Sequence, residues 1–422
     1  MTDPAAQRDL ALHVLQRLRE AGFESLWAGG CVRDQLLGIV PKDYDVATNA
    51  HPDQVRAVFG RRRTLAIGAS FGVIAVLGAK GLRPIDVATF RTDGAYRDGR
   101  HPESVVFTSA EHDARRRDFT INGLFYDPLT NRVVDYVNGQ ADLAAGLVRA
   151  IGDPAQRFAE DKLRLLRAIR FAATYGFALE EATAAAVTQM ADAISVVSAE
   201  RIAAELRRLL EHPTRGRGVE LLAQTRLLAA VLPEVSAAID DESAWAAALD
   251  RLERLPAGAG FPLALAALLL GAAAPEDVPR IGRRLKLANK EIDRAAWLVR
   301  MLPQIDDAER LPWPRLQRIL SHDGAAELIA LAQAHWGAGH AGIERCRTVL
   351  DQPAAQWNPP PLVSGDDLVA AGLRPGRQFA ALLDHLRDLQ LTGRLTTPAE
   401  ALAEAAQWTA AEGPVDEPGA GA

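Results

Sequence analysis

The sequence predicts an α+β protein in which strands and helices alternate over residues 1–150 and a long helical part follows. Two observations support this fold class. Short apolar runs typical of strands occur between helical segments only before residue 150. After Gly152, apolar residues recur at helical spacing almost to the end of the chain. With 422 residues, 48% of them hydrophobic, the chain can form several cores, and two to four domains are expected.

The first part begins with an amphipathic helix whose apolar stripe contains Leu10, Val14, Leu15 and Leu18. Short strands are predicted at 26–28 and 44–47, a hairpin-like pair of buried strands at 71–77 and 83–90, and further strand-like runs at 119–126 and 133–134. The polar segment 91–102 contains Gly94 and Gly99, and it is expected to form a long mobile loop.

Asp153 and Pro154 are typical of a helix start, and proline clusters further along the chain suggest additional boundaries. We expect a head at 1–150, a helical neck at 151–212, a helical body at 213–355, a helical tail at 356–411 and a disordered C-terminus at 412–422.

The charge is distributed unevenly along the chain. A net charge of -6 argues against nucleic acid on the crudest test. However, residues 1–210 are close to neutral, and their bases cluster at 61–63, 91–100, 115–117 and 164–170. Nearly all are arginines, which suit bidentate phosphate contacts, although a GC-rich genome produces the same bias.

Neither a membrane protein nor a disulfide-built protein is indicated. We find no apolar run long enough to span a bilayer, and the N-terminal segment has no apolar signal core. The two cysteines, Cys31 and Cys346, fit a reducing compartment and exclude a cysteine-built zinc site. A cytoplasmic protein is therefore expected.

The segment from Gly29 to Asp45 contains the most informative motif. Gly29 and Gly30 precede a predicted helix, where backbone amides can approach phosphate oxygens. Asp43 and Asp45 are two positions apart, so on a strand both carboxylates face the same side. Such carboxylates repel unless a cation lies between them, and oxygen ligands favour Mg²⁺. A lone D-x-D is usually a solvated strand or turn, but the preceding glycines and Arg33-Asp34 favour metal binding.

Asp86 lies in an apolar strand, where an unpaired carboxylate is costly to bury. It is either an edge-strand aspartate on a wet face or a third carboxylate beside the pair, able to hold metal or accept the proton of an attacking hydroxyl. Farther along, a triple arginine is usually a solvated basic face. Here it continues into Asp118 and Asn122, and we expect Asn122 with Arg116 or Arg117 to contact sugar and triphosphate.

Asp161 and Arg164 are three residues apart in a segment predicted to be helical, which places them on one face. The common outcome for such a pair is a surface salt bridge. The alternative is that they read the Watson–Crick edge of a base, since aspartate accepts from an amino group and arginine donates to ring nitrogens and carbonyls. We interpret 198–210 as a scaffold helix starting at Ser198, and His322-Asp323 as unrelated to a metal-phosphohydrolase site because its other ligands are missing.

Together these segments resemble the class II tRNA nucleotidyltransferase/poly(A) polymerase family of the polymerase β-like nucleotidyltransferase superfamily. The resemblance is carried by ordered motifs: Gly29 to Asp45, IDVATFR around Asp86, RRDFTIN at 116–122, Asp135 to Leu143, EDxxR at 160–164 and ERIxxEL at 200–206. Gly123 stands where the family usually has alanine. The tail segment from Gly365 to Gly376 is similar to bacterial members.

The resemblance implies a head with a mixed β-sheet followed by helical neck, body and tail. It implies template-independent addition of CCA to the 3′ end of tRNA from CTP and ATP, by two-metal phosphoryl transfer with Mg²⁺ on Asp43 and Asp45 and with Asp86 as a third catalytic carboxylate. The implied nucleotide-binding residues are Gly29, Gly30, Arg33, Arg116, Asp118, Asn122, Asp161, Arg164 and Arg167. The implied partners are the tRNA acceptor end, CTP and ATP, with no membrane; the oligomeric state is left open.

The family also contains A-adding enzymes and poly(A) polymerases. The loop at 91–102 is similar to the flexible loop that CC-adding members shorten. Arg61 to Arg63 resemble a basic segment of poly(A) polymerases, but 67–72 look more like the CCA enzymes. Outside the family, a small-molecule nucleotidyltransferase and a catalytically silent RNA-binding module are the remaining alternatives.

Overall fold

The computed structural model describes residues 3–94, 105–376 and 378–411. The predicted disordered C-terminus and most of the predicted loop at 91–102 therefore lie outside the described residues. By spatial contacts the chain forms two compact units. The first comprises residues 1–253 and 268–292, and the second comprises 254–267 and 293–422.

The first unit begins as an α/β arrangement. Its early elements are α1 (Pro4–Glu20), β1 (Ser25–Ala28), α2 (Gly30–Leu36), β2 (Asp45–Thr48), α3 (Pro52–Phe59), β3 (Thr64–Gly68), β4 (Val73–Val76), β5 (Ile85–Thr89), β6 (Arg91–Asp93), β7 (Val105–Phe107), α4 (Ala110–Arg115), β8 (Phe125–Asp127), β9 (Arg132–Val134), α5 (Gly139–Ala145) and β10 (Leu147–Val148). Short 3₁₀ turns lie at Arg61–Arg63, Ala69–Phe71 and Thr120–Asn122.

Helices dominate the rest of the chain, apart from β11 (Ala178–Leu179) and a 3₁₀ segment at Ala191–Val196. They are α6 (Pro154–Glu160), α7 (Leu163–Tyr175), α8 (Glu181–Gln189), α9 (Ala199–Leu210), α10 (Arg215–Gln224), α11 (Leu227–Val231), α12 (Pro233–Ser236), α13 (Glu242–Arg254), α14 (Phe261–Leu269), α15 (Val278–Arg284), α16 (Asn289–Asp306), α17 (Trp313–Ser321), α18 (Ala325–Trp336), α19 (Ala341–Leu350), α20 (Ala354–Trp357), α21 (Gly365–Ala370), α22 (Phe379–Leu391) and α23 (Pro398–Ala411). The α+β fold class is confirmed.

A seven-stranded mixed sheet organises the head, with strand order β3-β4-β5-β2-β1-β8-β9. β2 and β5 are parallel, whereas the other neighbouring pairs in this sheet are antiparallel. Two small pairs, β6-β7 and β10-β11, lie outside it. β11 interrupts a stretch that the sequence predicted to be wholly helical.

The core of the head forms where α1 covers the sheet. Val14, Leu15 and Leu18 of its predicted stripe are fully buried, and the aromatic side chains of Trp27, Phe90 and Phe125 fill the interior. Asp3 caps α1 by accepting a hydrogen bond from the Ala5 amide, and Pro4 occupies its first turn, as helix starts prefer.

The predicted strand run at 119–126 is wrong in its first half. Residues Thr120–Asn122 form a 3₁₀ turn, and β8 begins only at Phe125. The Thr120 hydroxyl donates to Asp142, and Gly139 lies so close to the Thr120 carbonyl that a Cβ there would be 2.2 Å away. Packing against α5 therefore overrides the local apolar pattern.

The second unit is helical, and its C-terminal cluster packs α21, α22 and α23 around Leu368, Leu382 and Ala401. Ser364 starts α21 with a capping box in which it exchanges hydrogen bonds with Asp367. Among the described residues, no helix combines the length and apolar character needed to cross a bilayer. The predicted boundaries at 150, 212 and 355 remain predictions.

Candidate active site

The candidate site forms because the topology brings several chain segments to one end of the sheet. β1 runs antiparallel to β2 and β8, while β2 runs parallel to β5. The C-terminal end of β1 and the N-terminal ends of β2, β5 and β8 therefore meet. Gly29 and Gly30 follow β1, Asp43 precedes β2 and Asn122 precedes β8, so residues distant in sequence converge at this end.

Two of the three predicted catalytic carboxylates face each other across the central strands. Asp45, the first residue of β2, is the register partner of Asp86 in β5. β5 lies between β4 and β2, so the interpretation of Asp86 as an edge-strand residue is wrong. Register partners share a sheet face, and both side chains are exposed on it.

The pKa values of Asp45 and Asp86 reflect the negative charge of the neighbouring carboxylates. The pKa of Asp45 is raised to about 6: the surrounding protein displaces much of its hydration even though part of its surface stays open, Arg117 opposes the rise, and Asp86 and Asp43 add to it. The pKa of Asp86 is also raised, first by loss of hydration and then by Asp43. Clustered negative charge of this kind is relieved by a cation, and oxygen donors suit a hard divalent ion.

Asp43 is engaged by an arginine in this conformation. Its carboxylate accepts a 2.5 Å hydrogen bond from Arg83 Nη1, and both side chains are more than half exposed. Gln7 holds the backbone of Arg83 through two hydrogen bonds of 3.1 Å. In the described part of the chain, no three His, Cys, Asp or Glu side chains are arranged to hold a metal ion. Arg83 engages one oxygen of the Asp43 carboxylate, and among the described residues the other carboxylate oxygen has no hydrogen-bond partner.

Beside the carboxylates lies a cleft of about 550 Å³. Its lining contains Asp45 and every predicted nucleotide-binding residue, whereas Asp43 and Asp86 are not part of the lining. The lining residues are Gly29, Gly30, Arg33, Asp45, Arg116, Arg117, Asp118, Asn122, Asp161, Arg164, Arg167, Arg170 and Phe171. Six of these thirteen residues are arginines, so the cleft is built to accept an anion.

Asp113 fixes two of those arginines and was not predicted. It lies one helical turn before them, and its buried carboxylate accepts from Arg116 at 2.7 Å and from Arg117 at 3.0 Å. Burial alone would raise the pKa of Asp113, but Arg117 and Arg116 outweigh it and the pKa is lowered. The i,i+3 and i,i+4 spacing in EHDARRRD was the signal that could have identified it.

Asp118 and Asn122 form a second network that reaches Arg33. Asp118 accepts from Arg167 at 2.6 and 2.8 Å and from the Asn122 side-chain amide at 3.0 Å. Asn122 in turn accepts from Arg33 Nη1 at 2.5 Å. Although burial opposes it, Arg167 and Asn122 hold the pKa of Asp118 far below its usual range. Asp118 therefore acts on the cleft by orienting Arg167 and Asn122.

Gly29 is required where the glycine pair enters the cleft. Its φ of +71° is a conformation that L side chains rarely adopt, and a Cβ at this position would lie 2.8 Å from Arg117 Nη1. The absence of a side chain thus lets Arg117 approach the start of α2. Arg33 is held over the rings of Tyr175 and Phe171 at 4.5 and 5.2 Å.

Asp161 and Arg164 both line the cleft, but not for the predicted reason. α6 ends at Glu160 and α7 starts at Leu163, so Asp161 has extended backbone angles and the two residues do not share a helix face. Asp161 accepts from the Leu163 amide at 3.0 Å and from Arg201 at 2.9 Å. Arg164 donates to Glu160 at 2.6 Å and to the carbonyls of Arg157 and Arg116. The two side chains are thereby held apart, with no salt bridge to each other.

The predicted scaffold segment 198–210 forms α9 and also supports the cleft directly. Ile202, Leu206 and Leu209 are buried, as the stripe predicted, and Ser198 is the residue before the helix. However, Arg201 reaches Asp161, and the buried Glu205 accepts from Arg170 at 2.6 Å. Sequence reasoning missed both of these polar contacts.

His322 and Asp323 are accounted for by structural contacts in the second unit. His322 stacks on Trp297 with ring centroids 3.8 Å apart, and Asp323 pairs with Arg294 at 2.6 Å.

Two family models and several known proteins match the sequence of this chain. Residues 26–149 match the family model described as the poly A polymerase head domain, and 176–239 match the probable RNA and SrmB-binding site of polymerase A. A CCA-adding enzyme of Levilactobacillus brevis is 32% identical over 408 residues, covering 94% of this chain and 97% of the relative. A CCA-adding enzyme of Geobacillus stearothermophilus is 36% identical over 305 residues, or 71% of each chain.

Solved structures agree with these sequence matches. The Bacillus stearothermophilus CCA-adding enzyme in complex with CTP superimposes with a TM-score of 0.79 and 28% identity, over 98% of this chain and 99% of the other. The Thermotoga maritima CCA-adding enzyme complexed with tRNA has a TM-score of 0.64 at 20% identity, over 95% of each chain, and therefore shares the fold.

Proposed function

The chain belongs to the family of CCA-adding enzymes, and from this premise we propose that it is a template-independent nucleotidyltransferase that adds CCA to the 3′ end of tRNA from CTP and ATP. One observation carries the assignment of the chemistry. Facing carboxylates in β2 and β5 lie at the same sheet end as an arginine-lined cleft that contains Asp161 and Arg164.

In the proposed reaction the cleft holds the nucleoside triphosphate. The amides around Gly29 and Gly30, with Arg33, Arg116, Arg117 and Arg167, bind the phosphates and the sugar side of the nucleotide. Asp113 and Asp118 keep those arginines in place, so their charge is preorganised before the substrate arrives. Asn122, fixed between Asp118 and Arg33, faces the same cleft.

Base selection is assigned to Asp161 and Arg164. Carboxylate and guanidinium groups held apart offer acceptors and donors, which complement the Watson–Crick edges of cytosine and adenine. Glu160 orients Arg164, and Arg201 orients Asp161. Because protein side chains alone present these groups to the base, selection needs no nucleic-acid template.

Mg²⁺ is the proposed metal, held by Asp43 and Asp45, and it would activate the RNA 3′ hydroxyl and neutralise the triphosphate. Asp86 lies opposite Asp45, where it can add an oxygen ligand or accept the hydroxyl proton. Because the substrates are tRNA, CTP and ATP, we place the reaction in the cytoplasm.

The test uses purified protein with Mg²⁺ and tRNA transcripts that end at the discriminator base or at CC, with each nucleotide alone and with CTP plus ATP. Sequencing of the 3′ ends should show CCA addition followed by a stop. A single A added only to CC-ended RNA would instead indicate an A-adding enzyme, and long A tails a poly(A) polymerase. No addition to any RNA would overturn the proposal.

The metal assignment is tested with Asp45→Asn, which should abolish transfer because the variant loses a charged ligand. Asp9→Asn, an exposed residue of α1, is the matched control and should transfer at the wild-type rate. Circular dichroism and thermal unfolding should show that both variants fold. Substantial transfer by Asp45→Asn would contradict the role given to this carboxylate.

A further inference from the structure

Five basic residues gather at the same sheet end as the carboxylates, outside the cleft. They are Arg61, Arg62 and Arg63, which form the 3₁₀ turn before β3, and Lys80 and Arg83, which lie between β4 and β5. We call this group the cationic edge. The lining of the cleft does not contain Arg61, Arg62, Arg63 or Lys80.

Strand directions fix the position of the cationic edge. β3 and β5 are both antiparallel to β4, so they run in the same direction. Thr64 pairs with Val76, and Val76 pairs with Ile85, so the two strands start at the same level. The turn before β3 and the connection before β5 therefore lie at the end of the sheet where Asp45 and Asp86 lie.

The cationic edge is exposed and largely unpaired. All five side chains are exposed. Within the described ranges, only Arg83 forms an ion pair, with Asp43, and no acidic side chain pairs with Arg61, Arg62, Arg63 or Lys80. Clustered like charges repel one another, and the repulsion is relieved when a polyanion binds across them.

The cleft and the cationic edge lie on opposite sides of the carboxylates. In the sheet order, β1 and β8 are on one side of β2, and they carry the glycine pair and Asn122 of the cleft. β5, β4 and β3 are on the other side. With neighbouring strands about 4.8 Å apart, β3 lies roughly 10 Å from β5 and roughly 14 Å from β2. This span corresponds to about three or four stacked nucleotides.

The sheet surface between Asp86 and the start of β3 carries apolar side chains. Asp45, Asp86, Ala75 and Leu65 form one register row across four strands and therefore share a face. Ala75 has a small side chain, and Leu65 is 41% exposed, so this row presents apolar surface to solvent beyond Asp86. An apolar surface beside unpaired cations suits a strand of nucleic acid, whose bases or riboses need cover while its phosphates need charge.

We propose that the cationic edge binds the backbone phosphates of the RNA strand whose 3′ hydroxyl reacts, and guides it over Ala75 and Leu65 to Asp86. The proposal rests on the function given above and adds the path of the acceptor strand. Phosphate contacts position a strand without reading its sequence, so the same path serves ends of different composition. The nucleotide then enters from the opposite side, through the cleft.

The test compares a triple variant, Arg61→Gln, Arg62→Gln and Arg63→Gln, with a control that removes the same charge. The control combines Arg8→Gln, Arg17→Gln and Arg132→Gln, exposed arginines of the same unit. Fluorescence anisotropy measures the affinity for tRNA lacking CCA at salt concentrations from about 50 to about 200 mM, a range over which phosphate contacts make the affinity fall steeply. Steady-state kinetics measure KM for tRNA and for CTP.

We expect the triple variant to bind tRNA at least about ten-fold more weakly. Its log–log salt slope should fall by about 2, as for loss of three contacts at roughly 0.7 per phosphate of single-stranded RNA. KM for CTP should stay within two-fold, roughly, because the cleft is untouched. The control should match the wild type in affinity and slope.

Unchanged tRNA affinity and salt slope in the triple variant would overturn the proposal while leaving CCA addition standing. An equal loss in the control would also overturn it, because the effect would then be one of net charge. If the wild type adds no nucleotide, the proposed function fails, and the anisotropy comparison still decides whether this edge binds RNA. Thermal unfolding of all variants excludes a folding defect.

Discussion

At the scale of single residues, the cleft depends on acids that are not themselves the predicted catalysts. Asp113, Asp118 and Glu205 are buried, and each holds arginines that line the cleft. A cluster of arginines is unfavourable by itself because the charges repel, so the acids that separate and aim them are as necessary as the cations.

Asp113→Asn should destabilise the protein by about 3 kcal/mol, the cost of breaking a buried pair by removing one partner. Because the folded-state pKa of Asp113 is lowered, its contribution is fully present above the unfolded pKa of about 3.9 and is lost as pH falls through the folded value. The difference between wild type and variant in denaturant unfolding should therefore be full at pH 7 and shrink below about pH 4. A difference that grows on acidification would contradict the ion-pair assignment.

Arg201→Ala should loosen nucleotide choice more than it slows transfer. Arg201 donates to Asp161 at 2.9 Å, so the variant removes a contact that fixes the orientation of the carboxylate proposed to read the base. A lost charged hydrogen bond of about 1.5–3 kcal/mol predicts roughly a ten-fold or greater fall in discrimination of CTP over UTP. The measurement is the ratio of kcat/KM for the two nucleotides.

Arg201→Lys should restore part of that discrimination, which a purely structural defect would not do. Glu200→Gln is the control on the same helix, since Glu200 is exposed and pairs with Lys286 instead. Equal discrimination by Arg201→Ala and wild type would remove Arg201 from the selection of the base.

Residue types and their spacing were enough to identify the chemistry, whereas the supporting contacts needed the structure. Every predicted nucleotide-binding residue lines one cleft. These residues could be predicted because the glycine pair, RRDFTIN and EDxxR each carry a local signal in the sequence. The ion pair of Asp43 with Arg83 has no such signal, since 40 residues separate them and only sheet pairing brings them together.

At the scale of elements, α7 and α9 act as one support for the cleft. They pack against each other, and Glu205 on α9 lies among Arg170 at 2.6 Å, Arg208 at 2.9 Å and Arg167 at 3.9 Å. The apolar stripe of α9 was readable from its 3.6-residue period. The period gave no indication that a glutamate on the same helix would be buried against three arginines.

Glu205→Gln should lower the free energy of unfolding by about 3 kcal/mol, because Arg170, whose side chain is only 13% exposed, then loses the carboxylate that pairs with it at 2.6 Å. KM for CTP should rise as well, since Arg167 and Arg170 line the cleft. Urea unfolding and steady-state kinetics measure the two effects. Glu211→Gln, an exposed residue just after α9, is the control and should change neither. Wild-type stability in Glu205→Gln would show that Glu205 is not needed to hold the arginines.

Element boundaries were least predictable where tertiary contacts compete with local pattern. The break between α6 and α7 at Asp161 occurs in a stretch with uninterrupted helical character in sequence. The Asp161 carboxylate accepts a hydrogen bond from the amide of Leu163, the first residue of α7, and aspartate side chains often make such local contacts with the backbone in place of continuing a helix.

At the scale of the whole molecule, all the cleft residues belong to the first unit. Fold class and family were readable from sequence because most of the motifs lie between residues 29 and 206 and retain their order. The arrangement of the second unit carried no comparable signal, because its Ala- and Leu-rich helices differ little in pattern from one another.

Saturating CTP should slow amide hydrogen exchange in the first unit, especially in α2, α7 and the turn Thr120–Asn122, and leave α21 to α23 unchanged. At a ligand concentration 100 times Kd, linkage predicts about 2.7 kcal/mol of stabilisation for the state that binds. Mass spectrometry of peptides with and without CTP measures this protection. The variant Arg33→Ala should lose most of it, and protection spread equally over α21 to α23 would contradict the location of the site.

The pairing of β1 with β8 has a consequence for the order in which a newly made chain matures. Trp27 and Tyr126 are register partners separated by about 100 residues. β1 therefore cannot pair with β8, and the glycine pair cannot come next to Asn122, until β8 has left the ribosome. Glu205 follows later still, at a synthesis rate of roughly 5–20 residues per second. A nascent chain therefore acquires its carboxylates early but its arginine supports late, and catalytic competence should appear only after α9 has emerged.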